Sequence, residues 1–428
     1  MKQKKEKKTE TIFIQIAAYR DPQLIPTIKD ALDKAKYPDN LRFGIAWQHH
    51  PDDIWDTLDQ YRYDSRFKII DIDYRDSQGV CWARNLIQNL YQGENYTLQL
   101  DSHHRFVNGW DTILISMLKE LQQSGSPKPL ITAYIPSFNP DNDPNERILE
   151  PWKMTFDRFI PEGAVFFLPS SFDPNIEDIS KPLPGRFYSA HFAFTLGIFC
   201  KEVSHDPNYY FHGEEISIAV RAFTHGYDIY YPNKIICWHE YTRRGRSKQW
   251  DDVTSWPDRN SLCHARNRQL FGMDIEDKNI DFGRYGFGNV RTLRDYEKYS
   301  GLQFRSRSIT QEVLDHIPPK LINIDISDEE FQEKLIPLFK HCIDIGYDQV
   351  PEEDYDFWCV AFKDMNGQDI FRQDATPEEI ANMKKDPDGY CKVWRSFMTA
   401  EKPYSWIVWP HSISKGWSEP ISGNIQWN

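Results

Sequence analysis

Apolar runs of strand length alternate with stretches of helical period over the first 136 residues. Thr11–Tyr19 (TIFIQIAAY) is almost continuously apolar, the mark of a strand buried on both faces. Pro22–Lys36 then sets Leu24, Ile25, Ile28, Ala31, Leu32 and Ala35 on one helical face. Further strands are expected at Leu41–Gln48, Phe67–Tyr74, Tyr96–Leu100 and Pro129–Pro136, with helices at Gly79–Tyr91 and Trp110–Leu121. This alternation predicts an α/β fold, a mostly parallel sheet covered by helices.

The pattern then changes. Residues 137–185 are rich in Pro, Asn and Asp and read as a long irregular insertion, the kind of loop that often carries function. Phe187–Cys200 reads as strand or buried turn, Glu214–His225 as helix, DIYYP and KIICWHE as short strands, and Asn260–Arg268 as helix. Tyr285–Ser300 reads as a glycine turn and a final helix. Beyond about residue 310, four strand-like runs recur, two of them separated by Met365-Asn366-Gly367, a hairpin signal. The organisation expected is a flexible basic tail at 1–10, a catalytic domain at 11–310 and a β-rich accessory domain at 311–428.

Composition narrows the functional classes. A net charge of −13 argues against non-specific nucleic-acid binding, which needs a basic field. Seven scattered cysteines, an odd number without a CxxC pair, fit reduced thiols in a cytoplasmic protein better than a disulfide framework. No run approaches the roughly 20 apolar residues of a membrane span. Aromatic residues are abundant, with 14 Trp, 22 Tyr and 26 Phe, and those of the C-terminal region fit core packing better than sugar platforms.

The chemistry concentrates where the fourth strand ends. In YTLQLDSHHRF the apolar run stops at Leu100, and Asp101, Ser102, His103, His104 and Arg105 follow. Asp101 and His103, two residues apart, share one side of an extended chain, where a carboxylate and an imidazole can hold one divalent ion. Mixed O/N ligation suits Mn²⁺ or Zn²⁺, and less usually Mg²⁺. His239, in WHEYTRRGR, is the best third ligand. Arg243, Arg244 and Arg246 beside it make a site for a diphosphate. Each residue also has a plain reading: Asp101 as a turn residue, the histidines as hydrogen-bonded core, the arginines as a solvated face.

With these pieces in place the sequence resembles the nucleotide-sugar glycosyltransferases of GT-A fold, and more narrowly the family of the cytoplasmic Skp1-hydroxyproline GlcNAc-transferases. The matching segments are IFIQIAAYRDPQL, GVCWARNLIQNLY, LQLDSHHRFVNGWD, HGEEISIAVRAFTHGYDIYYP, WHEY with its arginines, and YGFGNVRTLRDY, in that order across residues 11–302. The polypeptide GalNAc-transferases share the logic of D-x-H followed by a distant His.

The resemblance implies a Rossmann-like sheet and a metal-dependent retaining transfer of a sugar, GlcNAc first, from a UDP-sugar to a hydroxyl of a protein or glycan. It implies that Ala18, Tyr19, Arg20 and Asp21 hold the uridine and that Arg84 lies near the nucleotide. Asp101, His103 and His239 would bind the metal, Mn²⁺ or Mg²⁺, and Asp101, Tyr241 and Arg243 would face the donor. Glu214 and Glu215, the catalytic candidates, would lie over the sugar or acceptor, with a covalent intermediate on one of them as the route competing with direct transfer. As residues alone, Asp21 fits a helix cap before Pro22, and the two glutamates fit first-turn acids complementing a helix dipole. A metal-dependent nucleotide-sugar hydrolase and a non-catalytic carbohydrate-binding protein are the alternatives.

Overall fold

The structure, a computed structural model, describes residues 10–55, 57–160, 162–243, 245–273, 281–320, 323–385 and 389–426. The expected basic tail, up to residue 9, and Arg244 of the arginine run lie outside the described residues. Glu10, the last residue of that tail, is anchored: its carboxylate accepts from Tyr96 Oη and Lys119 Nζ, each at 2.8 Å. The described chain forms two compact units, one reaching Arg305 and including Glu312–Phe331, the other comprising Ser306–Gln311 and the chain from Gln332 onward.

The first unit is built on an eight-stranded sheet. Its strands in chain order are β1 (Ile12–Tyr19), β2 (Leu41–His49), β3 (Phe67–Asp73) and β4 (Tyr96–Leu100). A short β5 (His104–Phe106) lies outside the sheet and is followed by β6 (Pro129–Thr132). β1 pairs in parallel with both β2 and β4, and β2 with β3, so Tyr19, Gln48 and Asp101 gather at one carboxyl edge, where open α/β sheets take ligands. Helices α1 (Leu24–Lys34), α2 (Val80–Gln88) and α3 (Trp110–Gln123) cover the faces. Ile14, Ile16, Ile45, Leu98, Leu100, Ile28 and Leu118 are wholly buried. Such side chains contribute about 1.5–3 kcal/mol each, which makes the strand termini a firm platform for the polar residues beyond them. The α/β class expected from the pattern is the one the chain adopts.

Three details depart from the expectation. The segment after Thr132 leaves the sheet, and Pro136, which has no N–H, uses its carbonyl to accept from His239 N at 3.0 Å. The insertion is not irregular throughout: β7 (Trp152–Phe159) and β8 (Val165–Ser171) form an antiparallel hairpin. Its alternation, with Met154 and Phe156 facing in beside Val165 and Phe167, is masked by the turn residues around it. The third is that the mostly parallel sheet, as expected in kind, also takes in antiparallel strands. Beyond the short β9 (Leu183–Pro184), strand β10 (Phe192–Leu196) enters antiparallel between β4 and β6.

Further elements of this unit include α4 (Phe199–Glu202), α5 (Glu214–Thr224), β11 (Asp228–Tyr231), β12 (Cys237–His239), α6 (Gln249–Asp252), α7 (Trp256–Leu270) and the expected final helix, α8 (Leu293–Ser300). Pro257 near its start favours the earlier beginning of α7 than the expected Asn260. The second unit is antiparallel β: Leu338–Gly346 pairs with Tyr390–Met398, and Tyr355–Lys363 lies between Asp369–Arg372 and Ser405–Ser412. Ile343, Trp358, Val360, Phe362, Val393 and Val408 fill its core. Trp358 packs as expected, whereas Trp394, Trp409 and Trp417 are exposed.

Candidate active site

β4 delivers Asp101 to the carboxyl edge, and the chain turns at Ser102 and His103 into β5. β5 pairs antiparallel with β12, setting His239 opposite His104. This pairing closes a gap of 135 residues and puts three ligand-type side chains together: one donor atom each of Asp101, His103 and His239 lies within 4.8 Å of the others. Asp101 Oδ2 is 3.5 Å from His239 Nε2 and 3.8 Å from His103 Nε2. Both ring nitrogens of His239 are buried without a hydrogen-bond partner. Burying such atoms costs free energy unless something meets them. Burial pushes the His239 imidazole well below its ordinary pKa, which keeps it neutral with a lone pair to offer.

Asp101 divides its oxygens. Oδ1 accepts from Arg84 Nη2 at 2.9 Å, while Oδ2 faces the histidines. Burial works to raise its pKa, but His239, Arg84 and His103 together hold it well below the usual carboxylate range. The anion this leaves is the form that ligates a metal. Behind His103, Asp21 is almost fully buried and its Oδ2 accepts from Ser102 Oγ at 2.6 Å, lies 2.7 Å from His103 Nδ1 and meets Arg246 Nη1 at 2.5 Å. Burial opposes the charge on Asp21, yet His103, Arg246 and Ser102 hold its pKa below the ordinary range.

Two cavities meet at the three-residue cluster. One, about 160 Å³, is lined by Tyr19, Asp21, Gln48, Ser77, Gln249 and Trp250, among others. The other, about 370 Å³, is lined by Arg84, Tyr134, His191, Glu214, Glu215 and the hairpin residues Phe166 and Phe167, among others. Asp101, His239, Arg243 and Phe211 line both. A ligand with two unlike ends could therefore reach one cavity with each end and cross the cluster between them.

Glu214 and Glu215 open α5, which follows Gly213 at φ +104°. They are not equivalent. Glu215 has both oxygens engaged, by Tyr134 Oη at 2.7 Å and Ala190 N at 2.8 Å. Glu214 Oε1 lies 3.7 Å from Arg84 Nη1, a buried nitrogen without a hydrogen-bond partner. Burial raises the pKa of both, and the neighbouring acid raises Glu214 further. Glu214 is thus the carboxyl with a face left for a ligand.

The other expected residues are distributed as follows. Tyr19 and Asp21 line the smaller cavity, whereas Ala18 is buried in β1 and its carbonyl accepts from Gln48 Nε2 at 3.0 Å. Arg20, at φ +47°, clasps Asp53 in two bonds and reaches Asp252 at 3.0 Å. Tyr19 Oη also donates to Asp252, at 2.7 Å. Arg84 lies on the larger cavity, away from the smaller one. Tyr241 packs edge-on against His239 at 4.3 Å and donates to Ile135 O at 2.8 Å. Arg243 stacks over Trp250 at 5.5 Å. The sequence reading did not single out Gln48, Tyr134, His191 or Trp250 as lining residues. They reach the site from separate elements and share no local motif that could mark them.

A family profile described as Glycosyltransferase (GlcNAc) matches residues 11–62 and 56–306. No curated protein matches the chain. Among solved structures, GalNAc-T7 with UDP, GalNAc and Mn²⁺ is 9% identical with a TM-score of 0.47, covering 97% of this chain and 69% of its own. TarS 1-349 of S. aureus in complex with UDP-GlcNAc is 10% identical with a TM-score of 0.38, covering 68% of this chain and 71% of its own. The profile spans the sheet, the three-residue cluster and both cavities, and on that match the chain belongs to the Glycosyltransferase (GlcNAc) family.

Proposed function

We propose that this protein transfers GlcNAc from UDP-GlcNAc to a hydroxyl group of a protein or glycan, with a divalent metal bound by Asp101, His103 and His239 and with retention at the anomeric carbon. The observation that carries this reading is the position of the cluster at the junction of two cavities. The smaller would hold uridine, the larger the sugar and the acceptor hydroxyl, and the diphosphate would lie across the junction. The residues fit a metal: two imidazoles and one carboxylate converge, and an ion at His239 Nε2 would give one of its two unpartnered ring nitrogens a partner. Mn²⁺ suits this mixed N/O set, and when bound it would polarise phosphate oxygens.

The chain's own groups supply the rest. Arg243 borders both cavities, and Arg246 and Lys248 border the smaller one, so cationic charge gathers where negative charge grows on departing UDP. Glu214, presented by α5 into the larger cavity, would orient the sugar through its free face, and Glu215 would shape the wall it occupies with Tyr134. The acceptor hydroxyl would attack from the face that UDP leaves and pass its proton to a β-phosphate oxygen. The sequence resemblance makes protein hydroxyproline one candidate acceptor, beside another protein residue and a glycan.

The test is UDP release from a panel of UDP-sugars with Mn²⁺ or EDTA, with and without hydroxyl acceptors. Metal-dependent release from UDP-GlcNAc that rises with acceptor is the expected result. Release at an undiminished rate in EDTA overturns the metal assignment, and release that no acceptor accelerates favours a hydrolase.

A further inference from the structure

Asp21 stands at the end of β1, where the resemblance implied a residue for the nucleotide, and its surroundings assign it elsewhere. Its Oδ1 accepts from Gln23 N at 2.8 Å at the entry of α1, and its Oδ2 receives Ser102 Oγ, His103 and Arg246. No oxygen of this carboxylate is left over for a base or ribose, and only 1% of the residue is exposed. The two ring nitrogens of His103 face opposite demands. Nδ1 lies 2.7 Å from Asp21 Oδ2, a carboxylate oxygen, an acceptor that requires Nδ1 to carry the proton. Nε2 lies 3.2 Å from Arg246 Nη2, a donor that requires a lone pair there. Arg246 Nη1 also crowds Nδ1 on its way to the same carboxylate oxygen. Both requirements are met by one tautomer, Nδ1–H, whose Nε2 carries the lone pair and lies 3.8 Å from Asp101 Oδ2.

We infer that Asp21 is the positioning residue of the metal site: it holds His103 as the Nδ1–H tautomer, fixes the ring plane and so readies Nε2 for a divalent cation. This rests on the metal reading proposed above. The physical basis is general, because an imidazole ligand that donates its far N–H to a carboxylate is oriented and made more basic. Ser102 and Arg246 serve the same end by holding the Asp21 carboxylate in place.

The experiment is Mn²⁺ binding followed by electron paramagnetic resonance at saturating UDP, beside UDP affinity measured in EDTA, for wild type, Asp21→Asn and Asp21→Glu. Asp21→Asn should weaken Mn²⁺ by about 10–100-fold, the range for residues one step behind a metal ligand, a larger change than in metal-free UDP affinity. Asp21→Glu, which restores the charge, should recover part of the loss. Unchanged Mn²⁺ affinity in Asp21→Asn overturns the inference. So does a loss confined to metal-free UDP binding, which would make Asp21 a nucleotide contact. Absence of Mn²⁺ binding in wild type fails the metal reading itself and removes this inference with it. Should Asp21→Asn not fold, ¹⁵N resonances of the His103 ring in wild type decide: a proton on Nε2 rather than Nδ1 overturns the assignment.

Discussion

At the scale of single residues, Asp101 shows how one carboxylate serves two ends of a site. Arg84 takes one oxygen and the histidines face the other, so the side chain is held on the arginine side and left open on the histidine side. Removing His239 should therefore cost more than removing a residue that only orients a ligand. His239→Ala is expected to lower metal-dependent transfer by more than about 100-fold, measured as UDP release, and full activity in that variant would remove His239 from the site. Glu214 gives a prediction with a sign. Its folded pKa lies above the ordinary glutamate value, chiefly through burial. Between those two values the folded state keeps a proton that the unfolded state has lost, so its contribution to stability is present at low pH and is lost as pH rises through the folded value. Glu214→Gln should remove that slope. Thermal melts from pH 4.5 upward should show the variant gaining on wild type with rising pH, and parallel curves would refute the account.

At the scale of elements, the turn into α5 sets where the two glutamates stand. Gly213 has φ +104°, and a Cβ built there would lie 2.5 Å from Asn267 Nδ2. Asn267 has little room to retreat, since it donates to Gly163 O at 3.2 Å and accepts from Tyr209 Oη at 2.9 Å. Gly213→Ala should cost about 1–2 kcal/mol from the backbone alone, visible as a lowered melting temperature, and should reduce donor turnover because α5 moves with it. A variant with wild-type melting and turnover would show that this turn does not position Glu214. The β7–β8 hairpin is the other element with a role the alternation of strands and helices did not announce, for it brings Phe166 and Phe167 to the wall of the larger cavity. Its aromatic and β-branched positions are readable as strand once the pairing is known. In the sequence alone, the Pro, Asn and Asp residues on either side hide it.

At the scale of the whole molecule, the sheet and the ligand trio differ in how they could be read. The apolar runs of β1, β2 and β4 declare themselves because burial on both faces leaves few polar interruptions. The Asp101–His103 pair follows from the place where such a run stops. His239 became a partner through its strand-end position and the cations after it, although the β5–β12 pairing that unites the cluster has only three residues per strand and leaves almost no periodic trace. The lining residues Gln48, Tyr134 and His191 were illegible, because proximity across separate strands and loops is a property of the folded chain. Every residue lining the two cavities belongs to the first unit. A chain ending at Phe331 is therefore expected to retain Mn²⁺-dependent UDP binding, assayed by calorimetry. Loss of binding in a truncation that stays folded by circular dichroism would assign the C-terminal β unit a part in the site.

The guanidinium of Arg246 has one more consequence. A lone pair serves a single guest, and His103 Nε2 already hosts an N–H of Arg246 at 3.2 Å. On the proposed metal reading, a dication at Nε2 would have to displace that N–H, and the freed guanidinium, still tethered beside Asp21, would stand on the smaller cavity where a pyrophosphate would lie. Entry of the ion and recruitment of an arginine to the leaving group would then be two halves of one exchange.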